Sequence, residues 1–283
     1  MKYAVIIGVV LILIACTPQG GNRPIEVDYK QGYDGLELEL LPNYPPKEIL
    51  EGGTYTIAVQ ISNNGAYDTT QGEVAVWGYS KALSTLDKEH EVLKVIQGRN
   101  ANMPSGEFYI EEFHGKNNFI PLGSDEYTKK FWVQAEYDYR TVFNADVCIN
   151  PAMLRLEAEQ DSCVVEEEMS FSGQGAPIAI TEVKELVSSE GDNIRAQFTL
   201  KIENNGDGEL ISPVIVDSVR IANRRLRCER REFDAELVER GDALLVCTFI
   251  EPSRGPYTTV LSASLYYTYR TIEEGEILIR RLG

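Results

Sequence analysis

Tyr127-Thr-Lys-Lys-Phe-Trp-Val-Gln-Ala-Glu-Tyr-Asp-Tyr-Arg-Thr141 and Tyr257-Thr-Thr-Val-Leu-Ser-Ala-Ser-Leu-Tyr-Tyr-Thr-Tyr-Arg-Thr271 align without a gap and share Tyr137/Tyr267, Tyr139/Tyr269 and Arg140/Arg270. In the first copy Phe131, Val133, Ala135, Tyr137 and Tyr139 fall on one face, with Trp132, Gln134, Glu136, Asp138 and Arg140 on the other. A period of two sustained over this length specifies a half-buried strand. Leu261, Ala263, Leu265, Tyr267 and Tyr269 repeat the inner face in the second copy.

A second match lies upstream. Ile57-Ala-Val-Gln-Ile-Ser-Asn-Asn-Gly65 parallels Phe198-Thr-Leu-Lys-Ile-Glu-Asn-Asn-Gly206, each a strand running into a turn of residues that tolerate positive φ. Residue 65 to 127 spans 62 positions and 206 to 257 spans 51, so the first copy carries an insertion of about eleven residues, placed within 80–115. After each tyrosine strand a short turn and a last strand are expected, Asp146–Ile149 and Glu276–Ile279. Further strands are expected at Leu36–Leu40, Val74–Tyr79 and His90–Ile96, with the good helix formers of Lys81–Glu91 offering a helix as an alternative. In the second copy they are expected at Ile178–Val187, Val214–Ile221, Leu226–Cys228 and Ala243–Phe249. Two copies of about a hundred residues, each with some seven short strands, have the size and punctuation of β-sandwiches. The expected organisation is therefore all-β: two tandem immunoglobulin-like antiparallel β-sandwich domains, residues 34–150 and 177–283. A linker (151–176) joins them, and its Gly/Ser stretch Ser170–Pro177 reads as a hinge.

Residues 1–15 read as a signal peptide: Lys2 is followed by an uncharged apolar run of about a dozen residues, too short to span a bilayer. Leu13-Ile14-Ala15-Cys16 (13–16) resembles the lipobox of prokaryotic lipoproteins. That resemblance implies cleavage before Cys16, its lipidation, and a flexible tether over 16–33. An ordinary signal peptide or an uncleaved anchor would export the chain equally. The remaining four cysteines fall into two local pairs, read as structural disulfides Cys148–Cys163 and Cys228–Cys247, with crossed pairing left open. With two histidines in the chain, His90 and His114, no zinc site is expected. The formal charge of −17 repels phosphate backbones and argues against nucleic-acid partners.

Gly35-Leu-Glu-Leu-Glu-Leu40, the two Asn-Asn-Gly turns, and Asp146-Val-Cys-Ile-Asn-Pro151 followed by Cys163 and Gly173-Gln-Gly-Ala-Pro177 carry a resemblance. They are similar to immunoglobulin-like modules of prokaryotic surface proteins, of the type of the cell-adhesion-related domain found in bacteria, and to archaeal membrane-anchored proteins with paired domains. The resemblance implies binding or spacing and supplies no catalytic residue.

No Gly-x-Ser-x-Gly elbow accompanies the histidines. Carboxylates such as Glu111-Glu112 and Asp125-Glu126 are too plentiful for counting to single out a glycosidase-like pair. Asn63-Asn64-Gly65 with Asp68, and Asn204-Asn205-Gly206-Asp207, offer oxygens to calcium but lack the spacing of a dedicated loop, and turn chemistry accounts for them. The candidate binding residues are Trp132, on the polar face of its strand, and the arginines Arg224, Arg225, Arg227, Arg230 and Arg231, joined by Arg220. These match acidic glycans, anionic headgroups or another copy's acidic face. Trp132 is expected to be covered by a loop such as the insertion, and Trp77 and the paired tyrosines to be core. The expected protein is a non-catalytic, lipid-anchored surface protein on the extracellular face of the membrane, with no cofactor or metal. Its expected partners are the membrane and a protein or envelope polymer. A carbohydrate-binding module, an assembly subunit and a surface hydrolase are the alternatives.

Overall fold

The computed structural model describes residues 29–150, 163–252 and 255–281. Cys16, the expected signal peptide and most of the tether lie outside these. In chain order the strands of the first repeat are β1 (Leu36–Leu40), β2 (Glu48–Leu50), β3 (Thr54–Asn63), β4 (Gly72–Trp77), β5 (Ser84–Leu86), β6 (His90–Val92), β7 (Phe108–Asn117) and β8 (Glu126–Ile149). The second repeat follows with β9 (Glu168–Ser170), β10 (Ile178–Glu190), β11 (Asn193–Asn204), β12 (Glu209–Leu210) and β13 (Val214–Ile221). Next come β14 (Arg224–Arg225), β15 (Arg227–Cys228), β16 (Glu232–Phe233), the short helix α1 (Ala235–Glu239), β17 (Ala243–Pro252) and β18 (Tyr257–Arg280).

The chain is all-β and sandwich-like. A four-stranded sheet ordered β1-β3-β7-β5 belongs to the first repeat and a five-stranded sheet ordered β15-β17-β11-β10-β9 to the second. Both pack on the inner face of one nine-stranded sheet, whose main path runs β14-β13-β18-β8-β4-β6. Residues 81–91 form the short strands β5 and β6 with turns, not a helix.

The expected turn after each tyrosine strand is absent. β8 and β18 each run 24 residues and pair antiparallel along their whole length, from Tyr257↔Ile149 to Arg280↔Glu126. The register sets Tyr267 opposite Tyr139, Thr268 opposite Asp138 and Tyr269 opposite Tyr137. The repeat maps residue 138 onto 268, so the Asp138·Thr268 pair marks a local two-fold between the copies, and Thr268 Oγ1 donates to Asp138 Oδ1 at 2.8 Å. Each long strand leaves its own repeat and completes the layer of the other. Ile277 and Ile279 of β18 are buried beside the first repeat's strands, where β2 adds in parallel to Leu278–Arg280. In return, Phe143 of β8 packs edge-on against Phe171 at 4.8 Å, and Thr141 Oγ1 donates to the Ile178 carbonyl.

Ser170–Pro177 is packed rather than hinge-like. Gln174 clamps Ile180, accepting from its N–H at 2.9 Å and donating to its carbonyl at 3.0 Å, and Ala176 is fully buried. The Gly175 N–H donates to the Gly32 carbonyl at 2.8 Å. Gly173, at φ +93°, approaches Gly32 so closely that a Cβ would lie 2.2 Å from its carbonyl oxygen, so glycine is required there.

Candidate functional site

The two sequence motifs meet in space. Tyr139 donates to Asn63 Oδ1 at 3.1 Å, while the Tyr67 N–H donates to the Tyr139 hydroxyl at 3.2 Å. In the second repeat Tyr269 donates to Asn204 Oδ1 at 2.9 Å and accepts from the Gly208 N–H at 2.9 Å. Each asparagine oxygen also receives its turn's glycine N–H, at 3.1 Å in both copies. Asp68 Oδ1 accepts from the Gly98 N–H at 2.9 Å. These oxygens are thus committed to holding turns, as turn chemistry requires. Burial raises the hydroxyls of Tyr137, Tyr139, Tyr267 and Tyr269, the last to about 12, so they stay protonated and neutral at physiological pH.

The region of the local two-fold opens outward into a groove of about 410 Å³. Asp68, Asp138 and Arg140 from the first repeat and Pro213, Ile215, Glu232 and Tyr266 from the second contribute to its lining. Neither repeat alone builds it. Tyr266 is 45% exposed and Ile215 43%, which gives the groove an apolar wall beside its charges.

Trp132 does not form a free platform. Trp77 stands opposite it on β4 and stacks on it at 4.8 Å and 22°, and a Cβ on Gly78 would press 2.1 Å from its ring. The cover comes from β4, not from the insertion. Trp77 is 43% exposed and so is not core, because Val74 and Val76 take the inward positions of that strand.

The arginine cluster divides. Arg224, Arg225 and Arg227, with Arg195 from β11, line a groove of about 560 Å³ beside Cys228, whereas Arg230 lies over the Phe233 ring at 5.4 Å and Arg231 is an exposed residue outside the groove lining. Arg195 is paired with Glu190 at 2.9 Å and Arg224 with Glu251 at 3.3 Å. Arg225 donates to the Asp217 carbonyl, and Arg227 is exposed. Arg195 was not singled out from the sequence, because only the pairing of Arg195 with Ile250 on β17 brings it to the groove. Both disulfides are formed: Cys148–Cys163 ties the end of β8 to the segment before β9, and Cys228–Cys247 joins facing residues of β15 and β17.

Two other groupings bear on chemistry. Lys129 is 3% exposed, donates to Ser84 Oγ at 3.0 Å and to the Tyr55 hydroxyl, and lies over the Tyr55 and Tyr79 rings. Burial drives its amine down to about 8. Serine, lysine and tyrosine in hydrogen-bond contact are the parts of a nucleophilic site, but Ser84 and Tyr55 are buried as well, at 0% and 4%, so the trio is sealed between the sheets. On the opposite side of that small sheet a hollow of about 870 Å³ is lined by Tyr44, Thr56, Asp87 and His114, among others. There His114 Nδ1 is 3.0 Å from Thr56 Oγ1 and Nε2 is 3.8 Å from Glu112, with His114 and Glu112 lying open to water. A triad's orienting acid is buried, and Glu112 is not. Among the described residues no group of three or more His, Cys, Asp or Glu gathers to hold a metal ion, and no helix is long and apolar enough to cross a membrane.

No protein-family model and no curated protein matches the chain. Among solved structures it is similar to the E. coli chaperone DraB at 8% identity and TM-score 0.20, over 78% of this chain and 87% of that one. It is also similar to the secreted serine protease VesC of Vibrio cholerae, at 14% identity and TM-score 0.19, over 85% of this chain and 51% of that one. A third is the YadV chaperone, at 9% identity and TM-score 0.20, over 83% and 99%.

Proposed function

We propose that this is a non-catalytic surface protein, lipid-anchored through Cys16 to the outer face of the membrane, whose two immunoglobulin-like sandwiches act as one rigid unit for binding and spacing at the cell envelope. The observation that carries this reading is the 24-residue ladder between β8 and β18. A joint of continuous sheet transmits orientation in a way that a Gly/Ser hinge does not. The two disulfides support an oxidising exterior. Intact mass spectrometry of the protein extracted from its native membrane, before and after reduction, tests the tether. A lipid-sized addition on Cys16 and a gain of four protons on reduction are expected, and an unmodified chain with free thiols would overturn the reading.

The groove of Arg195, Arg224, Arg225 and Arg227 favours one class of occupant, an acidic envelope polymer, since guanidinium forks match carboxylates and sulfates. Retention on an immobilised polyuronate should weaken with salt and should fall about tenfold in an Arg225→Ala/Arg227→Ala variant. Unchanged retention in that variant removes the polymer and leaves the spacer.

A further inference from the structure

The local two-fold predicts two equivalent sites flanking Asp138·Thr268, and the sequence has broken their equivalence. On one side Arg270 faces Glu136 across the ladder. Its Nε donates to Glu136 Oε1 at 2.9 Å, and Glu209 lies 3.4 Å from the same guanidinium. Two carboxylates therefore fill that side.

On the other side the matching arginine is Arg140, and neither acid pairs with it. The residue facing it is Tyr266, which stands where the first repeat has Glu136. The counterpart of Glu209 is Asp68, whose carboxylate is turned to the Gly98 N–H at 2.9 Å. Arg140 is exposed and makes no ion pair among the described residues, its guanidinium lying 5.5 Å from the Tyr67 ring. What opens in place of the ion pair is the 410 Å³ groove, with Tyr266, Ile215 and Pro213 as its apolar wall and Asp138 and Glu232 further along it.

We propose that this groove is a binding site for a small apolar zwitterion of the α-amino-acid type. Its carboxylate takes the place at Arg140 that Glu136 holds at Arg270. Its ammonium group faces Asp138 and Glu232, and its side chain lies against Tyr266 and Ile215. Arg140 and Asp138 are two residues apart on one face of β8, about 7 Å along the strand, which a molecule bearing both charges and an apolar body bridges. The volume is within the range of small-molecule pockets, and a site between two structural units is where such pockets form. A peptide end carries only one of the two charges, so the free zwitterion is the fitting occupant. Nothing in this site requires membrane tethering.

Calorimetric titration of the protein with L-leucine and L-phenylalanine tests it, alongside their N-acetyl and carboxamide derivatives and a Leu-Leu dipeptide. Saturable binding of the free amino acids is expected, weakened at least about tenfold by capping either charge and by Arg140→Ala. The decisive variant is Tyr266→Glu, which recreates the Arg270–Glu136 pair: it should keep or raise the melting temperature and abolish binding. No heat from either amino acid at about 10 mM, or binding undiminished in Tyr266→Glu, overturns the proposal. Capped derivatives binding as well as the free forms also overturn it, and tighter binding of the dipeptide replaces the free zwitterion by a peptide.

Discussion

Tyr139 and Asn63 are 76 residues apart in the chain and are joined by a 3.1 Å hydrogen bond that fixes the end of β3 to the middle of β8. Tyr139→Phe removes that donor and the acceptor of the Tyr67 N–H from a site only 3% exposed. A buried group left unpaired costs about 1–3 kcal/mol. Urea denaturation should show that loss for Tyr139→Phe and a similar loss for Tyr269→Phe, with almost none for the exposed Tyr266→Phe. Equal small effects in all three would mean that the tyrosine–asparagine bonds are incidental.

The strand exchange makes the repeats interdependent. Gly275 of the second repeat stands opposite Phe131 of the first, and a Cβ there would meet the Phe131 ring at 2.2 Å. The first repeat expressed alone as residues 29–150 lacks the covering half of β18, so it should be unfolded by near-ultraviolet circular dichroism. Adding a peptide of residues 267–281 in trans should restore part of the signal. A stably folded 29–150 fragment would show that the ladder is an accessory to each repeat's fold.

The repeat, the alternation and the pairing of cysteines were legible because each is a local pattern. The exchange was not. Asn144 and Glu273-Glu274-Gly275 look like turn residues, yet Asn144 and Glu274 are outward positions of unbroken strands and Gly275 is the hollow that Phe131 needs. Periodicity reveals which face of a strand is buried but not which repeat's sheet buries it. Parity alone places two further residues, one of them against the expectation that Trp77 is core. Trp77 follows the inward Val74 and Val76 and so points out. Lys129, two residues before Phe131 and on the same inner face, had to be inside. The groove at the two-fold depends on Arg140 meeting Tyr266, a register between distant strands that no local pattern specifies.

Removing Cys148–Cys163 by a double serine substitution should cost about 3 kcal/mol, the chain-entropy value for a loop closed over 15 residues. Cys228–Cys247, separated by 19, should cost a similar amount. Denaturant midpoints of the two double variants check this. A loss well under 1 kcal/mol at either site would mean that the surrounding strands already hold the ends together in the unfolded ensemble.

Glu185 and Lys129 give stability an unusual pH profile. Glu185 is 4% exposed, neither carboxyl oxygen has a hydrogen-bond partner, and burial raises it from 4.5 to about 8. Below pH 4.5 it is protonated in both the folded and unfolded chains and adds no pH dependence. Between 4.5 and 8 the unfolded chain releases the proton that the folded chain retains, so its contribution falls as pH rises. Lys129 is lowered from 10.5 to about 8, so between 8 and 10.5 the unfolded chain binds the extra proton and stability rises with pH. The two windows join near pH 8, where these groups together place a minimum. Each tenfold difference in proton affinity between the folded and unfolded chains is worth about 1.4 kcal/mol. Glu185→Gln should therefore flatten the acidic limb and raise stability near pH 8 by on the order of 3 kcal/mol. Lys129→Met should flatten the alkaline limb while leaving Tyr55 and Ser84 hydrogen-bonded to each other at 2.7 Å. Denaturant titrations from pH 5 to 10.5 on the three proteins decide it, and a wild-type profile that peaks near pH 8 would show that burial does not shift these two groups.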